Sequence, residues 1–117
     1  VDAEGIVNNA NYLHYLEHTR HEFCEEAGLS FAAMRARGLT PVVSRIDIKY
    51  LRPLGLGESM VSKLRLSRRG PVFVFGQDIF TPDGEPVVRA LVDIACYAGG
   101  RLSRGNELAE AFARYLD

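Results

Sequence analysis

The stretch Asn11-Tyr12-Leu13-His14-Tyr15-Leu16-Glu17-His18-Thr19-Arg20-His21-Glu22-Phe23-Cys24-Glu25-Glu26-Ala27-Gly28 and the later stretch Val42-Val43-Ser44-Arg45-Ile46-Asp47-Ile48-Lys49-Tyr50 carry two different hydrophobic periods. In the first, Tyr12, Leu16, Phe23 and Ala27 recur on one face at helical spacing, with Leu13 and Cys24 flanking them, which predicts an amphipathic helix over 11–27. Asn8 or Asn9 is placed to cap its start and Gly28 to stop it. In the second, Val42, Ile46, Ile48 and Tyr50 alternate against Arg45, Asp47 and Lys49, the pattern of a strand buried on one face. Helix first and sheet afterwards is the segregated order of an α+β domain.

Outward from this core the sequence is well punctuated. A shorter helix is expected from Ser30 to Arg37, ending at Gly38. Arg52-Pro53-Leu54-Gly55 breaks the first strand, and a second alternating run extends from Ser59 to Ser67. Arg68-Arg69-Gly70-Pro71 turns into a third strand, Val72 to Thr81. Pro82-Asp83-Gly84-Glu85 is a hairpin signal ahead of a fourth, Pro86 to Tyr97. Asn106 to Leu116 reads as a short amphipathic helix. The expected architecture is a four-stranded antiparallel meander whose apolar face is covered by one long helix.

The chain has 117 residues, which predicts a single domain over 1–117. Its 47% hydrophobic and 25% charged residues are the balance of a globular protein. Fourteen basic residues against fifteen acidic give a net charge of -1, which argues against nucleic-acid binding through a general positive field. The apolar runs are far shorter than the roughly 20 residues needed to span a bilayer. Two cysteines, Cys24 and Cys96, make no disulfide framework and, with no secretory signal in view, point to a reducing, cytoplasmic setting. The sequence begins at Val1 rather than Met, and an initial segment is expected ahead of it.

The densest polar stretch is Asp2-Ala3-Glu4-Gly5-Ile6-Val7-Asn8-Asn9-Ala10-Asn11-Tyr12. A carboxylate just before a helix start can act as base or nucleophile while free backbone N–H groups hold a developing oxyanion. The same residue types also serve simply as caps. His14, His18 and His21 share a helix face with Glu25. The i, i+4 spacing of His14 and His18 could clamp zinc, but no fourth ligand is arranged nearby and a solvated polar face accounts for them. Cys24, beside the apolar stripe, reads as a small core residue rather than a thiolate paired with His21. Arg20 is the cation on the apolar side, and Glu17 is its expected ion-pair partner. Arg65, Arg68 and Arg69 cluster at a strand turn, as suits either a phosphate site or an ordinary charged hairpin tip.

The run from Asp2 to Tyr12, with Tyr15, Glu17 and Arg20 after it, resembles the signature of hotdog-fold thioesterases of the 4-hydroxybenzoyl-CoA thioesterase-like family. The likeness extends through Pro41-Val42-Val43-Ser44 and the final three strands. It implies an antiparallel sheet wrapped around the long helix, with a first strand expected ahead of the signature loop and missing from the chain as given. It implies acyl-CoA thioester hydrolysis with Asp2 as the catalytic carboxylate and the Asn9 amide polarising the thioester carbonyl. Gly5, Tyr12 and Ser44 would contact substrate, and Arg68 with Arg69 would meet the carrier's phosphates. No metal or cofactor is implied. A homodimer or homotetramer is, with acyl pockets at the subunit interface. Ile6 stands where many relatives have His, and Asn9 where one subgroup has a catalytic His, which throws the weight of catalysis onto Asp2. An acyl-ACP thioesterase and a non-catalytic hotdog acyl-binding or scaffold protein are the alternatives.

Overall fold

The computed structural model describes residues 9–54 and 57–116, with the side chains of residues 9 and 10 excepted. The long helix α1 spans Asn9–Glu26. Its buried residues Tyr12, Leu16, Arg20 and Cys24 repeat every fourth position, so one stripe faces the protein. Gly28 ends it at φ 85°, a left-handed conformation that an L side chain would strain. Helix α2, Phe31–Ala36, is capped by Ser30, whose Oγ accepts from the Ala33 amide at 3.0 Å.

Among the described residues five strands follow: β1 (Leu39–Tyr50), β2 (Val61–Arg69), β3 (Val72–Phe80), β4 (Pro86–Ala98) and the short β5 (Arg101–Leu102). All pair antiparallel, in the order β1-β4-β3-β2, with β5 on β4. The expected four-strand meander therefore holds only for β2-β3-β4. β1 pairs with β4, because the segment after Tyr50 carries the chain to the far edge instead of turning back. The chain closes with α3 (Asn106–Ala111) and a 3-10 turn, Ala113–Tyr115, which bury Leu108 and Phe112. The single tail helix expected to Leu116 thus divides in two.

Cross-strand partners share a face, so the register separates the two sides of the sheet. Phe73, Phe75, Gln77 and Ile79 of β3 stand opposite Ile94, Val92, Ala90 and Val88 of β4, on the side that packs against α1. On β1 the same side holds Val43, Ile46, Ile48 and Tyr50. A bulge between Val43 and Arg45 puts Val43 rather than Val42 in phase with Ile46, which corrects the simple alternation expected there. On the outer side, a Cβ on Gly76 would come within 2.8 Å of the Arg65 guanidinium. The missing side chain lets Arg65 lie across β3 to meet Asp78 at 3.2 Å.

The core has two halves. Tyr12, Leu16, Leu54, Ile79, Val87, Val88 and Ala90 pack around the first part of α1. Cys24, Leu29, Phe73, Phe75, Val92, Ile94 and Phe112 belong to the larger half. Among the described residues, no helix is long and apolar enough to cross a membrane.

Candidate active site

Asp2 and Gly5 lie outside the described residues. Asn9 opens α1, and the first amides of a helix have no acceptor within it, so this end carries free N–H donors and the positive end of the helix dipole.

Tyr12, one turn on, is buried and its ring lies 6.0 Å from that of Tyr50. Its hydroxyl is sealed from solvent and makes no full hydrogen bond among the described residues. Burial pushes the phenol's pKa up, partly offset by the nearby Leu54 backbone. Ser44 stands at the bulge of β1, exposed, with its Oγ donating to the Asp93 carbonyl at 3.3 Å.

The turn arginines, expected together at the carrier's phosphates, share neither a face nor a partner. Successive residues of a strand point to opposite faces, and each of these has its own partners. Arg68 donates to the carbonyls of Gly70 (2.8 Å) and Arg104 (2.7 Å) and to Asn106 Oδ1 (2.9 Å), tying the β2–β3 turn to the start of α3. Arg69 pairs with the Asp93 carboxylate at 2.8 Å. Among the described residues, Arg68's hydrogen-bond acceptors are all uncharged. It lines an open groove of about 440 Å³ with Gly70, Pro71 and Arg104.

Arg20 also departs from expectation. Its Nη1 donates to Gln77 Oε1 at 2.8 Å rather than to Glu17, which is exposed and acts on it only through space. Gln77 in turn donates to the Leu16 carbonyl and to Thr19 Oγ1 at 2.9 and 2.8 Å. Glu17 fails as a contact partner because it projects to solvent while Arg20 turns inward. Gln77 and Thr19 escaped the sequence reading, although a glutamine within the alternation Phe73-Phe75-Gln77-Ile79 was the available signal.

His18 Nε2 lies 3.1 Å from Glu22, and the His21 ring sits 4.3 Å from that of Phe31. Among the described residues no three such side chains gather as a metal site. Cys24 is buried, and desolvation pushes its thiol up to about 12, against the smaller pull of Arg20, which disfavours the thiolate form.

Because Tyr12 lies beside Tyr50 while Glu17, Arg20 and His21 line one cleft with Pro41 and Val43, α1 runs antiparallel to β1. Along this side β1 exposes Val43, Ile46 and Tyr50, and α1 exposes Leu13. The edge strand thus presents an apolar strip that the chain's own helix leaves open.

Residues 1–116 match the family described as "Thioesterase-like superfamily". The chain is 36% identical over 92 residues, 77% of its length, to an acyl-acyl carrier protein thioesterase, ATL3, of Arabidopsis thaliana, of which 48% is covered. It spans about half the length of the plant relatives it matches. It is 35% identical over 98 residues to the long-chain acyl-CoA thioesterase FadM of Escherichia coli, covering 82% of this chain and 74% of that protein. The solved structure of YbaW, a probable thioesterase from Escherichia coli, superposes with a TM-score of 0.86 at 30% identity, covering 100% of this chain and 91% of that one. With its long helix laid against an antiparallel sheet, the chain belongs to the thioesterase-like superfamily of hotdog proteins.

Proposed function

We propose that the chain hydrolyses an acyl-CoA thioester to the free acid and coenzyme A. The observation that carries the reading is the start of α1 at Asn9, seven positions after Asp2, in a chain of this superfamily. A thioester carbonyl held at the Asn9 amide would gain a donor where negative charge develops. Asp2 either draws a proton from water, which adds to the carbonyl carbon, or attacks that carbon to give a mixed anhydride that water then opens. In both schemes the C–S bond breaks, sulfur leaves as thiolate and is protonated, and neither metal nor cofactor takes part. Gly5, Tyr12 and Ser44 are proposed to contact the substrate.

For the carrier, Arg68, whose acceptors among the described residues are neutral, with Arg104 on its groove suits a phosphate better than Arg69, which Asp93 neutralises. The apolar strip on β1 supports a homodimer or homotetramer, with the acyl chain between α1 and the partner subunit. The two free, buried cysteines fit a cytoplasmic setting. A second reading, hydrolysis of acyl-ACP, is favoured by the name of the plant relatives.

The test is release of free thiol from one acyl group carried on coenzyme A and on acyl carrier protein. The proposal expects the higher kcat/KM on coenzyme A. Preference for the protein carrier would move the assignment to the second reading, and release from neither would reject hydrolysis.

A further inference from the structure

The outer side of the sheet, away from α1, carries an open groove of about 350 Å³, and none of its residues has a part in the proposed hydrolysis. Two neighbouring ladder rows build its floor. In one, Lys49 of β1 stands opposite Arg89 of β4, and Arg89 stands opposite Asp78 of β3. In the other, Asp47 stands opposite Leu91, and Leu91 opposite Gly76.

The first row sets two cations side by side. Cross-strand partners lie about 5 Å apart, where like charges repel, and Lys49 and Arg89 are both exposed. The carboxylates of the groove are engaged with other arginines: Asp78 accepts from Arg65 at 3.2 Å, and Asp47 lies 4.0 Å from Arg45. Lys63 of β2 adds another cation opposite Asp78. Lys49, Lys63, Arg65 and Arg89 against Asp47 and Asp78 leave two positive charges in excess. That surplus matches the dianion of a phosphate monoester better than a carboxylate.

The second row supplies a platform beside those cations. Leu91 is 44% exposed in the middle of a charged face. Next to it Gly76 has no side chain, and Arg65 fills the space, with its Cγ, Nε and Cζ all within 2.9 Å of where a Cβ would stand. Arg65 therefore lies along the sheet surface, held there by Asp78. A leucine and a guanidinium laid side by side offer a planar ring a surface to stack on. The cation pair sits two residues along each strand from this platform, about 7 Å away.

We propose that the groove binds a nucleoside monophosphate, its phosphate between Lys49 and Arg89 and its base on Leu91 and Arg65. The groove is separate from the position proposed for the carrier's phosphates. Arg68 stands opposite Phe73, on the α1 side of the sheet. The inference stands whether or not the chain hydrolyses thioesters, because its readout is binding.

The test is titration of the full chain with AMP, followed by calorimetry and by the Leu91 methyl resonances, with adenosine and ribose 5-phosphate as controls. The expected result is one AMP per chain and a shift at Leu91. Each control should bind at least about tenfold more weakly, since each keeps only one half of the contacts. Lys49 and Arg89 are exposed, so Lys49→Ala and Arg89→Ala should fold, and each should weaken AMP about tenfold. The proposal is overturned by absence of saturable AMP binding, by equal binding of either control, by a Leu91 methyl that does not move, or by undiminished binding in either variant. One-for-one displacement of AMP by coenzyme A also overturns it, since the groove would then belong to the carrier.

Discussion

Arg20 and Gln77 meet at 2.8 Å in the interior, fifty-seven residues apart in sequence, and their hydrogen bond is the polar joint between the two halves of the core. On α1 it falls between Leu16 and Cys24, and on β3 between Ile79 and Phe75. It fixes the helix in rotation and register against the sheet, which in turn sets where the helix start lies.

Gln77→Leu removes the acceptor of a buried cation and the donor to Leu16 and Thr19. The loss should be about 3 kcal/mol in urea unfolding. Adding Arg20→Met should recover part of it, because the apolar pair leaves no orphaned charge. An additive double variant would contradict a direct coupling.

The turn arginines should separate by function. Arg68→Ala is expected to raise KM for acyl-CoA several-fold with kcat little changed, and to spare a truncated thioester lacking the nucleotide. Arg69→Ala should leave KM alone but cost stability, about 1–3 kcal/mol, since it strips the partner from Asp93, which is buried. Steady-state kinetics on both substrates checks the split, and equal effects of the two variants would refute it.

The Cys24 thiol gives stability a pH dependence. Its folded pKa is raised, so the unfolded chain loses this proton first, above its usual value near 8.5–9, while the folded chain keeps it to about 12. The unfolded state then binds fewer protons, and stability falls as pH rises through that window, by at most about 1.4 kcal/mol per pH unit from this group. Urea midpoints between pH 8.5 and 10 should decline, and Cys24→Ala should flatten the slope.

Much of this was legible in the sequence, and the exceptions have physical causes. The spacing of Tyr12 and Leu16, the stop at Gly28 and the turn around Gly84 are local signals, and they specify α1 and the β3–β4 hairpin. The pairing of β1 with β4 and the bulge at Ser44 arise from tertiary packing, which no local period encodes. Glu17 was the nearest acid to Arg20 by sequence, but helix geometry turns one outward and the other inward. The opposite facing of Arg68 and Arg69 follows from strand alternation alone and was readable. The signature loop around Asp2 was legible only through its resemblance to a family.

The edge strand supplies a test of assembly. Ile46 is 42% exposed on the helix side of β1, and Ile46→Lys places a charge in the strip proposed as the subunit contact. Sedimentation at micromolar concentration should show the oligomer dissociating. A wild-type chain that sediments as a fully active monomer would contradict the shared acyl pocket.

The most direct measurement is acyl-CoA hydrolysis by the wild-type chain and by Asp2→Asn, with folding followed by circular dichroism. The account predicts turnover by the wild type and a loss of about 10²-fold or more in kcat for the variant, with the fold intact. Near-native kcat in Asp2→Asn would contradict it.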